Sequence, residues 1–289
     1  MRFQEGHDFN MGICITILCD NSISRSGFIG EHGFSLLVER DDKKYLFDTG
    51  PGTSLPINLN VLGKNLKNLD KVFVSHGHYD HTGGLKWAIR QAGKVEVVAH
   101  PDIFSRHMVL NPADTGESPR YIGCQFTQEE LEKTGASFAF TDHDREMSPG
   151  LWFVTGIHPD PEKLPNDARL VIPQGGGFVR DPLKDDASLL IETDGAPILV
   201  LGCAHNGVFN ILDHIRGKMG VNKLRAVLGG THLMFSEPED VGRAIEKFEE
   251  FSVDLVGVSH CTGFQAAVEL SKHFGDRFDL ASAGRVFDF

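Results

Sequence analysis

Long apolar runs are missing from this chain, and so are paired cysteines. No stretch approaches the ~18 apolar residues that a membrane-spanning helix needs, so no span and no membrane partner are expected. The five cysteines, Cys14, Cys19, Cys124, Cys203 and Cys261, are odd in number and follow no C-x-x-C or disulfide rhythm. That pattern reads as a reduced, cytoplasmic compartment. Basic residues are outnumbered, 28 against 40 acidic, for a net charge of −12. The balance argues against nucleic acid or an anionic membrane surface as a general partner. Flavin fingerprints and rubredoxin-like cysteine sets are absent, and thiolates are too few for a structural zinc site.

What is present is a 40 % hydrophobic chain of 289 residues, enough for a sizeable core. Residues 1–12, polar from Met1 to Asn10, read as an extension before the first strand, and residues 13–289 as one domain. Ile13 to Leu18 is a β-branched run, and Phe34 to Glu39 with Lys44 to Phe47 read as a hairpin turning at Asp41-Asp42. Asp48-Thr49-Gly50 closes that hairpin. Asp48 is either an ordinary turn residue or the holder of a metal-bound histidine. Leu69 to Val74 and Val95 to Ala99 are expected strands, flanked by helices over Ser54 to Leu62 and Leu85 to Gln91, with Gly83-Gly84 allowing a tight turn.

From His100 to Glu146 the pattern weakens. Asn111 to Pro119 has no periodicity and reads as a lid or pocket wall, while Thr127 to Glu130 resembles a capping box. A second long loop, Ile157 to Asp186, carries five prolines and Gly175-Gly176-Gly177, and is expected to shape a substrate entrance. Order returns with a hairpin over Ser188 to Thr193 and Ile198 to Leu201, followed by three similar units. Each is a strand, then a glycine-containing loop bearing one histidine (His205, His232 or His260), then a helix. No sequence repeat accompanies that repeated placement.

The strongest signal is His76-Gly77-His78-Tyr79-Asp80-His81, three imidazoles and a carboxylate between a strand and a helix. His76 and His78 alternate by two and Asp80 and His81 follow round the turn, a spacing that suits two adjacent divalent ions. Zinc, iron or manganese match the donors, zinc being the first choice. The carboxyl ends of neighbouring strands converge, so His205, His232 and His260 are expected to join this loop.

These residues resemble the HxHxDH signature of the metallo-β-lactamase superfamily, preceded by Asp48-Thr49-Gly50 and followed by Thr82-Gly83-Gly84. More narrowly, Ser75 to Leu85, Gly202 to Gly207, Gly229 to Leu233 and Ser259 to Gly263 resemble the branch containing dihydropterin ribofuranosyl-aminobenzene-phosphate synthase. The resemblance implies an α/β fold, the four-layer αβ/βα sandwich, with a dinuclear site at one edge. It implies His76, His78 and His205 on the first metal and Asp80, His81 and His260 on the second. In place of a bridging aspartate this chain has Cys203, so that either Cys203 or His205 substitutes or the second metal is held loosely. His158 is a reserve ligand.

The expected activity is that of a metal-dependent enzyme on a phosphorylated or diphosphate small molecule, with a pterin precursor as the candidate substrate. Asp80 is assigned to steering a proton and His232 to substrate phosphate or proton transfer, with Arg120, Arg180, Lys184 and Arg285 as candidate phosphate contacts. Hydrolysis of a phosphodiester, thioester or lactone needs the same cluster. An iron-containing redox or sensor protein using Cys203 and Cys261, and a binding module that has lost catalysis, are the remaining alternatives.

Overall fold

Two seven-stranded sheets stack face to face in the computed structural model, which describes residues 12–110 and 119–289. The polar extension, apart from Gly12, and the aperiodic stretch 111–118 lie outside the described residues. The first sheet runs, in spatial order, Val286–Asp288, Ile13–Cys19, Ser35–Arg40, Lys43–Phe47, Lys71–Phe73, Val95–Ala99 and Ala136–Phe140. The second runs Phe278–Leu280, Leu255–Val258, Ala226–Gly229, Ile198–Leu201, Ser188–Ile191, Leu151–Val154 and Arg145–Ser148. Both sheets are antiparallel at one side and parallel at the other.

Three apolar cores separate the layers. Phe34, Phe47, Phe73, Phe153, Leu189, Val200 and Leu228 fill the space between the sheets. Helices Ser54–Val61, Leu85–Ala92 and Gln128–Thr134 cover the first sheet through Leu55, Ile89 and Leu131. Helices Val208–Met219, Pro238–Glu250 and Phe264–Phe274 cover the second through Ile211, Phe248 and Leu270. Burial on both faces explains the continuous apolar spelling of the central strands, and the four layers are the expected αβ/βα sandwich.

Several sequence expectations are refined. Thr127 does cap Gln128–Thr134 through a capping box. Gly83 and Gly84 do not supply left-handed freedom, since both have helical φ, −62° and −81°. They are needed for close approach: a Cβ would come within 2.3 Å of the Pro51 carbonyl oxygen at Gly83 and 2.5 Å of the Thr49 carbonyl oxygen at Gly84. Loop Ile157 to Asp186 contains the hairpin Leu170–Gln174 and Gly177–Arg180, which joins Met108–Val109 and Arg120–Tyr121 in a third, four-stranded sheet.

Candidate metal centre

The histidines collect where strands of both sheets end. Lys71–Phe73 pairs in parallel with Val95–Ala99 and delivers Ser75 and His76; His78 then caps the single helical turn Tyr79–Thr82 that carries Asp80 and His81. Gly77 makes the loop possible, because a Cβ there would sit 2.1 Å from the Ile103 carbonyl oxygen. Ala204, His232 and His260 all adopt left-handed backbone, with φ of 57°, 53° and 47°. Such conformations cost roughly 1–3 kcal/mol each and concentrate at functional sites.

Asp48 is both a turn residue and an anchor. At φ 55° it aims its carboxylate inward, accepting from the Ser75 backbone N–H at 2.7 Å, Ser75 Oγ at 2.6 Å and His81 Nδ1 at 2.7 Å. Thr49 clamps the same turn, its N–H and hydroxyl both donating to the His81 carbonyl oxygen at 2.8 Å. Ser75 Oγ spends its one hydrogen on Asp48, so its contact with His76 Nδ1 at 2.9 Å makes His76 the donor there. His76 therefore presents a bare Nε2 to the interior, and His81, its Nδ1 engaged by Asp48, turns its Nε2 the same way, the orientation of a metal-ligating imidazole.

Two donor groups face each other. His76 Nε2 lies 3.0 Å from His78 Nδ1 and 3.2 Å from His205 Nε2. Asp80 Oδ2 lies 3.4 Å from His260 Nε2 and 4.0 Å from His81 Nε2, which are themselves 3.4 Å apart. Cys203 Sγ sits between the groups, 3.1 Å from His81 Nε2 and within ligand reach of His76. His205 turns instead toward His76 and His78. The facing ligand atoms of His76, His78 and His205 all lie within 4.8 Å of one another, and His78 Nε2 is buried without a hydrogen-bond partner. A cation is what such a set fits.

Electrostatics separates the two groups. Burial, then the neighbouring imidazoles, push His76 and His205 well below the ordinary histidine range, and burial with His107 brings His78 to about 4. Burial also opposes charge on His81, yet Asp48 and Asp80 outweigh it and hold His81 up at about 8. Against burial, His260 and His81 keep the Asp80 carboxyl below the usual carboxylate range.

The sequence profile of the metallo-β-lactamase superfamily matches residues 29–260. The chain belongs to that superfamily. Over 95 % of its length and 95 % of the relative's it is 29 % identical to the 7,8-dihydropterin-6-methyl-4-(β-D-ribofuranosyl)-aminobenzene-5′-phosphate synthase of Methanocaldococcus jannaschii. A second protein of that archaeon, uncharacterised, is 31 % identical over 89 % of this chain and 94 % of its own. Among solved structures, Tm1679, described as a metal-dependent hydrolase of the β-lactamase superfamily, superposes with a TM-score of 0.79. It is 27 % identical and covers 95 % of this chain and 98 % of its own. Metallo-β-lactamase superfamily members are largely metal-dependent hydrolases and related enzymes and generally bind divalent metals, which suits the donor groups found here.

Around this superfamily cluster the other expected residues divide. His232 stands beside His205, ring centroids 4.5 Å apart, with Nε2 3.6 Å from Asp167. Burial disfavours its charge, but Asp167 and Cys261 raise it to about 9. Arg120 lines a cavity of about 230 Å³ together with His78, Asp80, His205, His232 and His260. Arg180 lines an adjoining one of about 250 Å³ that shares His205 and His232. Arg285 is committed to Asp279 on the surface, and Lys184 and His158 are exposed side chains outside both cavities. His158 sits in the proline-containing loop as an ordinary loop histidine. Two features escape the sequence: His32, which lines the cavity of about 230 Å³ beside Asp80, and the buried set His107, Asp181 and Asp185. Neither has any spacing motif that would single it out.

Proposed function

We propose that this chain is a two-metal enzyme acting on a phosphorylated or diphosphate-bearing small molecule, in the manner of a dihydropterin synthase-like transferase. The observation that carries this reading is the likeness to the archaeal synthase along 95 % of both chains. His76, His78 and His205 would hold one ion and Asp80, His81 and His260 the other, with Cys203 between them. When bound, such ions act as Lewis acids toward phosphoryl oxygens and lower the pKa of water to about 7.

The protein's own groups then have defined tasks. Arg120 and His232 place positive charge on the cavity wall for an anionic group. Tyr79, Val109, Ile122, Leu170 and Phe235 supply a surface on which a flat ring packs and from which water is excluded. Asp80 Oδ2, facing the cavity beside His260, is the carboxylate positioned to take a proton from an attacking group.

The test is turnover by zinc-loaded protein of a panel of dihydropterin diphosphates, with and without an arylamine acceptor, alongside phosphodiesters, a thioester and a lactone. Acceptor-dependent release of pyrophosphate is the expected result. Turnover of only the thioester or lactone would sink the phosphate reading. Release of phosphate without an acceptor would favour the hydrolase reading, to which the likeness to Tm1679 lends weight. Anaerobic metal analysis with a visible spectrum separates both from an iron redox protein.

The two donor groups should also part company with pH. Because metal-free His81 holds its proton up to about pH 8, a proton competes for Nε2 throughout the neutral range. Affinity of the Asp80, His81, His260 group should therefore fall by about tenfold for each pH unit below 8. His76, His78 and His205 are already neutral there, so their ion persists to far lower pH. Metal content after dialysis should step from two ions per chain to one between pH 8 and pH 6. A His260→Ala variant should show one ion throughout. Loss of both ions together would overturn the division.

A further inference from the structure

Asn21, just beyond strand Ile13–Cys19, stands between two histidines at the cavity. Its Oδ1 accepts from the Gly33 backbone N–H at 3.1 Å and contacts His260 Nδ1 at 2.9 Å. Its Nδ2 lies 3.3 Å from His32 Nδ1. A backbone N–H can only donate, so the Gly33 contact decides which end of the Asn21 amide is oxygen. The remaining hydrogens follow from that one assignment. His260 must carry its hydrogen on Nδ1, which leaves a lone pair on Nε2. His32 must accept at Nδ1, which puts its hydrogen on Nε2.

The two rings therefore differ in kind although they look alike. Their centroids are 5.0 Å apart, and both direct Nε2 at Asp80 Oδ2, His260 from 3.4 Å and His32 from 3.5 Å. The three ligand atoms are close enough to hold an ion between them. Proximity alone would make His32 a ligand of the second ion, yet its facing nitrogen has no lone pair to give. At 3.5 Å its N–H is also too far from the carboxylate for a hydrogen bond, so that hydrogen is unspent. The side chain is 59 % exposed, where a guest in the cavity can reach it.

We infer that His32 is a hydrogen-bond donor to an anionic oxygen of the bound substrate, not a metal ligand, and that Asn21 holds it in that tautomer. The oxygen belongs to a phosphoryl or diphosphate group, which rests on the function proposed above; the tautomer does not. The inference adds to the site a substrate contact from outside every histidine motif.

Long-range ¹H–¹⁵N correlation spectra of histidine-labelled, zinc-loaded protein read the tautomer directly. His32 should appear neutral with its hydrogen on Nε2, and His260 with its hydrogen on Nδ1. A hydrogen on Nδ1 of His32, or the signature of a zinc-bound ring, would overturn the assignment. With inorganic pyrophosphate as probe, His32→Ala should bind about tenfold or more weakly, the loss of one hydrogen bond to a charged group. Its two zinc ions should resist a chelator as in the parent protein, and His32→Gln, which retains an N–H, should recover part of the binding. Zinc loss equal to that of His260→Ala overturns the donor role, and unchanged pyrophosphate affinity overturns the substrate contact. Asn21→Asp supplies a carboxylate that accepts from both rings, so the His32 hydrogen should move to Nδ1, pyrophosphate binding weaken and the second zinc be held longer. An unmoved hydrogen in that variant denies Asn21 its part. If the parent protein binds no pyrophosphate while the spectra show the expected tautomers, the phosphate reading fails and the hydrogen assignment stands.

Discussion

Replacing His78 by alanine, or Asp80 by asparagine, is expected to lower turnover by at least about a thousandfold, roughly 4 kcal/mol of barrier. Each belongs to a different donor group, so each removal empties or weakens a different ion site. His78 is buried and turns Nδ1 to within 3.0 Å of His76 Nε2, at the heart of the first donor group. Asp80→Asn keeps the shape but deletes the negative charge that faces His81 and His260. Neither side chain belongs to any of the three apolar cores, so circular dichroism of both variants should match the parent. Retained activity in both would falsify the site as drawn.

His107→Ala should act on stability instead, lowering it by about 3–5 kcal/mol, the cost of stripping one partner from a buried ion pair. His107 Nδ1 lies 2.6 Å from Asp181 Oδ2 and its Nε2 lies 3.3 Å from Asp185 Oδ2, all three side chains being almost wholly buried. Asp185 also accepts from the Gly77 N–H at 2.6 Å, so the metal loop is fastened to the same pair. Burial works against charge on His107, but Asp185 and Asp181 outweigh it and raise its pKa to about 10. A folded pKa above the unfolded value means stability that is fully present below about pH 6.5 and lost as pH rises through 10. Urea denaturation at pH 6.5 and pH 10 should show the parent losing most of its advantage over the variant at the higher pH. An equal gap at both would refute the charged pair.

How much could be read from the chain alone followed from local physics. Val95–Ala99 and Leu255–Val258 are short apolar runs between polar turns, buried on both faces, and their bounds are plain in the sequence. Ala136–Phe140 and Arg145–Ser148 lie at sheet edges with mixed exposure, so no clean alternation marks them. The third sheet is built partly from two-residue strands, too short for any period. In the candidate site, the HxHxDH loop is conspicuous because its histidines and aspartate are neighbours in sequence. His205 and His260 are marked by their repeated place at converging strand ends and given ligand roles by family resemblance; His32 has neither signal, since only folding brings that loop to Asp80. Tautomers lie deeper still, being set by which atom of Asn21 a backbone amide happens to meet.

The donors come from strand ends on both sheets, and His81 and His260, whose Nε2 atoms are 3.4 Å apart, are 179 residues apart along the chain. An ion held there is a rivet between half-sandwiches: at a thousand times its dissociation constant it would add about 4 kcal/mol against their separation. The proposed second donor set would thus be incomplete until residue 260 has been synthesised. Were the proposed ion bound there, it would tie together elements that meet only once nearly the whole chain is made, and its removal would be expected to loosen the two halves from each other.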